Sequence, residues 1–385
     1  MAVKFTKPEI NIREKLSELD KPSGIAGEAM LRAETPQEQF NLIGAGRRNI
    51  VINGAQNVFQ RGSSSVTINT LAEVFRADRF RYEQGGTTAN NSAIVVSTDA
   101  PKGFLYSTQV TAGSSMSFIS GGFTSLNYRG EGTDILGMKN GTSLGSVTLS
   151  FWVKCSRPGT YSLNFTTYNG SSERWYLSTY EIHSTEWEYK TITIPSDVSS
   201  NASQWFRLYW MLGGNSDSYT GTPGNWINGN GAYRGVSTQP LFNTSGATFK
   251  LTGVQLEVGR VATPFEHRSY GEELALCKRY FQKFGIGVPG YSNSSGSAIS
   301  FAFRFTPEMR AQPTVSINNT TFAFADTFVS VKNASSPSIS YNGFTQVSGS
   351  EVTGGELQIT TGTNTTANNF QQLYSEDAIF FNSEL

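Results

Sequence analysis

The sequence predicts a mainly β protein built from two β-sandwich domains, with a charged arm before them and a short helix between them. Three observations lead to this fold class. Only 16% of the 385 residues are charged, whereas 12% are aromatic and 39 are glycine, a composition that favours short strands joined by tight turns. Many segments alternate apolar and polar residues, as half-buried strands do. The length exceeds the roughly 250–300 residues at which one hydrophobic core stops growing, so we expect two domains.

Residues 1–48 differ from the rest of the chain in their dense mixture of charges. Thr6-Lys-Pro-Glu9 and Thr35-Pro-Gln-Glu38 both have the form of a capping box, which predicts two short helices joined by a partly extended stretch. This arm has too few apolar residues to form a core, so we expect it to dock on a partner or, alternatively, to fold back on its own domain. The candidate anchoring residues are Ile12, Leu16, Leu19, Met30, Leu31, Phe40 and Leu42.

Residues 49–266 predict strands throughout. The clearest alternation lies in residues 147–154, 187–195 and 249–258, and each of these segments is a candidate half-buried strand. Aromatic residues commonly fill the cores of sandwiches, so Trp152 in the first of these strands is expected to be core.

Residues 267–284 predict one linking helix. The apolar residues that recur there at helical spacing are Tyr270, Leu274, Cys277, Tyr280 and Phe281. Beyond the helix, residues 285–385 hold short alternating segments flanked by prolines, which predict a second, smaller C-terminal β-sandwich.

Two stretches of the chain resemble those of a known family. The first is Asn49-Ile-Val-Ile-Asn-Gly-Ala-Gln-Asn-Val-Phe-Gln-Arg-Gly62 followed by Phe75-Arg-Ala-Asp-Arg-Phe80. It resembles the start of bacteriophage virion domains whose jelly-roll is similar to carbohydrate-binding modules. The second, residues 259–284, begins Gly-Arg-Val-Ala-Thr-Pro-Phe-Glu-His-Arg and resembles the junction in phage tail-fibre proteins between such a sandwich and a distal domain. The resemblance implies that residues 49–266 form a jelly-roll.

The resemblance also implies a structural protein of a phage virion, of the marine and cyanophage appendage type, assembled in the host cytoplasm. Most of all it implies a tail fibre that contributes to host-cell attachment. We expect such a fibre to be a homotrimer, with residues 1–48 bound to other virion proteins and residues 285–385 as the distal domain. A host surface glycan or receptor is the expected external partner. The alternatives are a capsid-decoration or knob-like head protein and, as a minor one, a glycan depolymerase.

Residues that support catalysis or metal binding are scarce. The chain has two histidines and two cysteines without zinc-binding spacing, so we expect no metal and no cofactor and predict that the protein is not an enzyme. Cys155 and Cys277 are expected to be free and buried. The segment from Gly285 to Gly290 fits the pattern G-x-G-x-x-G, but Pro289 stands where a phosphate-binding helix would begin.

The charge and hydropathy of the chain limit its partners. Thirty basic residues balance thirty acidic ones, which disfavours nucleic acid. No apolar run approaches the length of about 20 residues that spans a bilayer, so we expect no membrane insertion.

Aromatic side chains and amides together indicate a possible sugar-binding surface. Flat aromatic rings stack on the C–H faces of pyranose rings, and amides hydrogen-bond the hydroxyls. The candidate glycan contacts are Trp226, Trp187, Tyr219 and Tyr233, of which Trp226 lies in a Gly/Asn-rich segment between the two tyrosines. Alternatively, the aromatics serve the core and the domain is only a structural spacer.

Overall fold

The computed structural model confirms the mainly β fold class, because antiparallel strands dominate the described residues and the helices among them are short. It describes residues 48–68, 72–87, 91–113, 116–140, 143–197, 205–214, 222–229, 241, 244–285, 289–292, 297–317, 321–326, 330–335, 338–346, 352–360, 370–373 and 379–384. The predicted anchoring residues from Ile12 to Leu42 lie outside these ranges. Within them, no helix is both long and apolar enough to cross a membrane.

The first domain is a sandwich of two antiparallel sheets. Its strands in chain order are β1 (Val66–Ile68), β2 (Ala72–Phe75), β3 (Phe80–Thr87), β4 (Ser92–Ser97), β5 (Ser107–Thr111), β6 (Phe118–Glu131), β7 (Lys139–Asn140), β8 (Ser143–Leu144), β9 (Val147–Cys155), β10 (Gly159–Tyr168), β11 (Glu173–Ile182), β12 (Glu188–Ile194), β13 (Trp205–Gly214), β14 (Trp226–Asn228) and β15 (Thr248–Val258). One sheet has six strands in the order β1, β4, β5, β15, β9, β12, and the facing sheet has seven in the order β14, β11, β10, β13, β6, β3, β2. A short helix, α1 (Gly132–Leu136), follows β6, and β7 pairs with β8.

The core between the two sheets follows from the alternation in the sequence. The odd-numbered residues of β9, from Val147 to Cys155, are fully buried and belong to one cluster with residues of the facing sheet such as Trp210. Phe151 and Trp210 meet edge to face with 5.6 Å between ring centroids. Burying one large apolar side chain contributes roughly 1.5–3 kcal/mol, so this layer holds the sheets together.

The predicted strands at 147–154, 187–195 and 249–258 are observed as β9, β12 and β15. The prediction that Trp152 is core is wrong. Because Trp152 takes an even-numbered position in β9, it points away from the facing sheet and is only partly buried. It packs instead on Tyr189, with 5.3 Å between ring centroids. The side of the six-stranded sheet that faces away from the core therefore carries aromatic residues.

The opening of the domain, residues 49–62, forms turns and bends where strands were predicted. The amide of Asn53 donates to the backbone oxygens of Val58 and Asp78 at 2.8 and 2.9 Å, and its side-chain oxygen accepts from the Val58 amide. Asn53 has a φ of 59°, in the left-handed region that asparagine tolerates better than most residues. Local side-chain bonds of this kind compete with strand formation.

The linking helix, α2, spans Tyr270–Lys278, inside the predicted segment 267–284. Ser269 caps its first turn by accepting a hydrogen bond from a backbone amide. Cys277 is buried, as predicted, whereas Tyr270 is 60% exposed and does not share that face. The helix therefore ends earlier, and has a narrower buried face, than the apolar spacing predicted.

Residues 281–284 form a strand of the C-terminal domain. The strands of this domain are β16 (Phe281–Phe284), β17 (Pro289–Ser292), β18 (Ala298–Met309), β19 (Thr314–Ile317), β20 (Thr321–Asp326), β21 (Ser330–Ser335), β22 (Ser338–Gln346), β23 (Val352–Thr360), β24 (Phe370–Leu373) and β25 (Ile379–Asn382). A three-stranded sheet in the order β16, β25, β19 and a seven-stranded sheet in the order β21, β20, β24, β17, β18, β23, β22 share a core that includes Phe301, Phe305 and Phe381. A second, smaller β-sandwich is thus confirmed.

Candidate functional site

The side of the first domain's seven-stranded sheet that faces away from the core carries polar and aromatic residues on neighbouring strands. Odd-numbered residues of β13 point outward there, because the even-numbered ones fill the core. The register then fixes their neighbours: Asn164 of β10 lies opposite Tyr209, and Thr166 lies opposite Arg207. On the other side of β13, Arg207 lies opposite Arg129 of β6. We call this surface the outer face; its residues are Arg129, Asn164, Thr166, Tyr168, Trp175, Trp205, Arg207 and Tyr209.

Two stacked aromatic pairs lie on the outer face. Tyr168 and Trp205 stack with 4.9 Å between ring centroids and 20° between ring planes. Trp175 and Tyr209 stack at 5.5 Å and 16°. The Trp175 indole also donates to the Glu173 carboxylate at 3.0 Å. Stacking of this kind holds the rings in fixed orientations.

The two pairs differ in exposure. Trp175 and Tyr209 are only 1% and 3% exposed, so they are closed to a ligand in this structure. Burial raises the pKa of the Tyr209 hydroxyl, which is therefore a neutral hydrogen-bonding group. Tyr168 and Trp205 are partly exposed. The reachable part of the outer face is consequently the end that holds the Tyr168 and Trp205 pair.

Two guanidinium groups lie against the Trp205 ring. The guanidinium carbon of Arg207 is 4.2 Å from a ring centroid of Trp205, and that of Arg129 is 4.5 Å away. Arg207 also donates to the Tyr209 hydroxyl at 2.7 Å. Within the described ranges neither arginine forms an ion pair, and the Nε atom of each is buried without a hydrogen-bond partner.

Asn164 and Thr166 are fully buried on the outer face, and within the described part of the chain their side chains have no hydrogen-bond partner. Asn127, on β6 of the same sheet, differs: it accepts from Arg81 at 3.2 Å and donates to Glu83 at 3.0 Å. Leaving a buried polar group unpaired costs about 1–3 kcal/mol, so folded proteins keep few such groups. The unpaired side chains of Asn164 and Thr166 are therefore a cost that the folded chain carries beneath the surface of the outer face.

The predicted contact Trp187 lies on the opposite side of the domain, beside the six-stranded sheet. Its indole donates to Asp99 at 2.9 Å, and Asp99 also pairs with Lys154 and Lys250. Burial alone would raise the pKa of Asp99, but hydrogen bonds from Lys250, Trp187 and Lys154 outweigh it and lower that pKa to about 2. The carboxylate is therefore ionised at neutral pH and orients the partly buried indole.

Trp226 begins β14, at the edge of the seven-stranded sheet. Its ring centroid lies 5.5 Å from that of Tyr176 and 6.1 Å from that of Phe165, both core residues. The indole donates to the Pro195 carbonyl at 3.1 Å. Trp226 is thus partly buried and packs against the edge of the core, on the side of the sheet away from the outer face.

The structure does not bring the predicted glycan contacts together. Trp187 and Trp226 lie beside different sheets, and Tyr219 and Tyr233 lie outside the described residues. A glycan-binding role for these four residues stays a prediction. The sequence did not single out Trp205; the outward alternation of β13 is the signal that could have found its strand.

The polar groups of the outer face suit hydroxyls and anions better than metal ions, because they are guanidinium, amide and hydroxyl groups. Across the described ranges, no group of three or more His, Cys, Asp or Glu side chains could hold a metal ion.

Comparisons with known proteins give distant likenesses. No protein-family model matches the chain, and no curated protein matches it in sequence. Among solved structures, the enzymatically active domain of tailspike protein 4 from bacteriophage CBA120 is 10% identical, with a TM-score of 0.30. The match covers 55% of this chain and 21% of that one, so this chain spans about a fifth of the tailspike structure.

Two carbohydrate-binding domains are similar at the same level. The CBM22-2 xylan-binding domain from Paenibacillus barcinonensis is 11% identical over 46% of this chain and 91% of that one, with a TM-score of 0.28. The family 11 carbohydrate-binding module from Clostridium thermocellum, in complex with a β-1,3-1,4-mixed-linked tetrasaccharide, is 10% identical over 52% and 99%, with a TM-score of 0.25. Likenesses this distant do not assign a function to the chain.

Proposed function

We propose that this chain is a bacteriophage virion protein, a tail fibre that contributes to host-cell attachment by binding a surface glycan on the outer face. The glycan-binding part is carried by one observation: at the reachable end of that face, the Tyr168 and Trp205 stack lies beside two arginines that have no acidic partner among the described residues. The virion part is supported by the resemblance of residues 49–80 and 259–284 to phage structural domains and their junctions.

The groups at this end can recognise a sugar without cleaving it. Guanidinium N–H groups donate to sugar hydroxyls, and the partly exposed ring pair offers an apolar surface to pyranose C–H groups. Hydrolysis of a glycosidic bond needs an acid and a second carboxylate on opposite sides of that bond. The arginines and rings supply neither. The two carboxylates on this side of the sheet, Glu131 and Glu173, already accept hydrogen bonds from other side chains, so binding without catalysis is the activity we propose.

The glycan test compares one aromatic residue on each side of the domain. Full-length protein is applied to an array of bacterial surface polysaccharides as wild type, as Trp205→Ala and as Tyr189→Ala. Tyr189 is the matched control, because it is a 44% exposed aromatic residue on the other sheet. We expect wild type and Tyr189→Ala to bind equally and Trp205→Ala to lose about tenfold or more in affinity, roughly 1.4 kcal/mol. Unfolding curves check that each variant folds. Absence of wild-type binding to every polysaccharide, or equal binding by all three proteins, would overturn the proposed site.

The position of the chain in the particle is a separate part of the proposal. We propose that residues 1–48 bind other virion proteins and that three copies of the chain assemble. Several weak glycan contacts would then act together and raise the overall affinity. Immunogold labelling of intact particles should place the chain on the tail. Label confined to the capsid shell would favour the decoration-protein alternative, and a purely monomeric mass in solution at micromolar concentration would contradict the trimer.

A further inference from the structure

We infer that the ligand of the outer face is an acidic glycan, one that carries a carboxylate or a phosphate group, and this inference rests on the proposed glycan binding. The observation behind it is that Arg129 and Arg207 lie opposite each other on neighbouring strands. The two residues are direct register partners on β6 and β13, and both guanidinium groups lie against the Trp205 ring. Like charges placed opposite each other on one face of a sheet repel. An anion bound between them would remove that repulsion.

Other arginines of the same sheet have acidic partners. Arg81 pairs with Glu73 at 2.8 Å and with Glu83 at 3.0 Å, and Arg174 pairs with Asp197 at 2.8 Å. Arginine on this sheet is therefore commonly neutralised by a neighbouring carboxylate. Within the described residues, Arg129 and Arg207 have no carboxylate partner, and in this they differ from Arg81 and Arg174.

Three carboxylates on the same side of the sheet are bound elsewhere, and one of them, Glu83, forms an ion pair with Arg81. Glu131 lies opposite Trp205 in the register, but it accepts hydrogen bonds from Arg279 at 3.2 Å and from Tyr280. Glu173 lies opposite Tyr168, and its carboxylate accepts from the Trp175 indole. Among the described residues, none of these carboxylates forms an ion pair with Arg129 or Arg207.

The available donors match an anion held beside a sugar ring. Guanidinium groups bind carboxylates and phosphates through paired N–H donors, and such charge-assisted bonds are stronger than neutral ones. Cation–π contact with Trp205 fixes the two groups in place before the ligand arrives. Thr166 lies opposite Arg207 but is fully buried, so the two guanidinium groups are the donors that an anionic group can reach. Together these groups define an acidic sugar more closely than a neutral one.

The experiment uses full-length protein and immobilised polysaccharides of known charge. The carboxylated probes are polygalacturonate, alginate and hyaluronate, the phosphorylated probe is a phosphomannan, and the neutral probes are xylan and galactan. The best carboxylated binder is also tested after its carboxyl groups have been reduced to alcohols. Arg129→Gln and Arg207→Gln are compared with wild type, and Arg157→Gln, an exposed arginine away from the outer face, is the control.

We expect an acidic probe to bind, and each outer-face substitution to weaken binding by about tenfold or more while Arg157→Gln does not. Carboxyl reduction and added salt should weaken binding as well. Binding confined to the phosphomannan would identify phosphate as the anionic group, and binding confined to the uronates would identify carboxylate.

Two other outcomes overturn the inference and separate it from the proposal on which it rests. If neutral xylan or galactan binds as tightly as the acidic probes, and Trp205→Ala abolishes binding while the arginine variants do not, the acidic-glycan inference is wrong and glycan binding stands. If no probe binds to wild type, both fail. Because replacing either arginine by glutamine removes a like-charge repulsion, we expect both variants to fold, and unfolding curves verify this.

Discussion

Arg79 of the jelly-roll lies with its guanidinium carbon 3.3 Å from the centre of the Tyr280 ring, just beyond α2. The same guanidinium forms an ion pair with Glu384, which follows the last strand of the C-terminal sandwich. The side chains of Arg79 and Glu384 are only 1% and 6% exposed. One buried arginine therefore connects the jelly-roll, the residue after the linking helix and the C-terminal domain.

Removing this arginine should destabilise the whole chain. In Arg79→Met the aliphatic part of the side chain is kept, but Tyr280 loses its cation–π contact and, among the described residues, Glu384 keeps only Arg61, at 3.4 Å, as an ion-pair partner. Breaking a buried ion pair from one side typically costs roughly 3–5 kcal/mol, and we expect a loss of that order in the free energy of unfolding. Urea unfolding of the full chain measures it. Arg157→Met, at an exposed position, should change stability by less than about 0.5 kcal/mol. Equal unfolding midpoints for the two variants would show that the contact contributes little.

Asp78, next to that arginine, should make stability depend on pH. Burial raises the pKa of Asp78 to about 6 from 3.8, although Arg61 and hydrogen bonds from Gln60 oppose the shift. The folded state therefore holds a proton that the unfolded state has already released between pH 4 and 6. The stability that this group contributes is fully present below about pH 4 and is lost as the pH rises to about 6, by on the order of 3 kcal/mol.

The comparison of wild type with Asp78→Asn isolates the titration of Asp78, because the contributions of the other titratable groups are common to both proteins and cancel in the difference. The difference in unfolding free energy, wild type minus variant, should fall between pH 4 and 6 and stay level from pH 7 to 8. Parallel curves over the whole range, or a difference that grows with pH, would show that the carboxyl is ionised throughout.

The strands of the first domain could be predicted because burial on one side imposes a period of two. Trp152 was predicted to be core because large aromatic residues commonly fill sandwich cores. The alternation of its strand already placed it on the outward side. The strand at residues 281–284 was missed because a short apolar run fits a helix and a strand equally well. Its pairing with β25 joins residues far apart in the chain, and the ion pair between Arg79 and Glu384 does the same. Local patterns do not encode such contacts.

The candidate site was less predictable than the fold. The outward alternation of Trp205, Arg207 and Tyr209 is visible in the sequence, but the opposition of Arg207 to Arg129 depends on the register between β13 and β6. Trp226 was favoured because glycine and asparagine surround it, and the structure places it in a short edge strand. An aromatic residue in a polar segment can therefore close the edge of a core as readily as it can face solvent.

Both cysteines should be unreactive until the chain unfolds. Cys155 and Cys277 are free and buried, as predicted, and burial raises the pKa of each thiol. Cys155 also lies 3.1 Å from the Tyr161 hydroxyl in the core. Because the thiolate is the reactive form, we expect a thiol reagent at pH 8 to label neither residue in the native protein and both in denaturant. Rapid labelling of the native protein would indicate that one of these sites opens locally.

Asn164 and Asn127 provide a matched pair for the outer face. Both are buried amides on one sheet, but Asn164 has no hydrogen-bond partner among the described residues, whereas Asn127 bonds to Arg81 and Glu83. Replacing the unpaired amide by leucine removes a desolvation cost, so Asn164→Leu should raise the free energy of unfolding by about 1–2 kcal/mol. Asn127→Leu removes two hydrogen bonds to charged side chains and should lower it by about 1–3 kcal/mol.

Asn164 is fully buried and lies opposite Tyr209, at the closed end of the outer face, so the gain in stability should leave glycan binding unchanged. Asn164→Leu is therefore expected to be more stable than wild type and to bind the polysaccharide selected by the array as tightly as wild type does. Chemical unfolding and binding are measured on the same preparations of wild type and both variants. A loss of stability in Asn164→Leu as large as that in Asn127→Leu would mean that the amide already has a partner in the folded chain, and weaker polysaccharide binding by Asn164→Leu would mean that the outer face opens at this position.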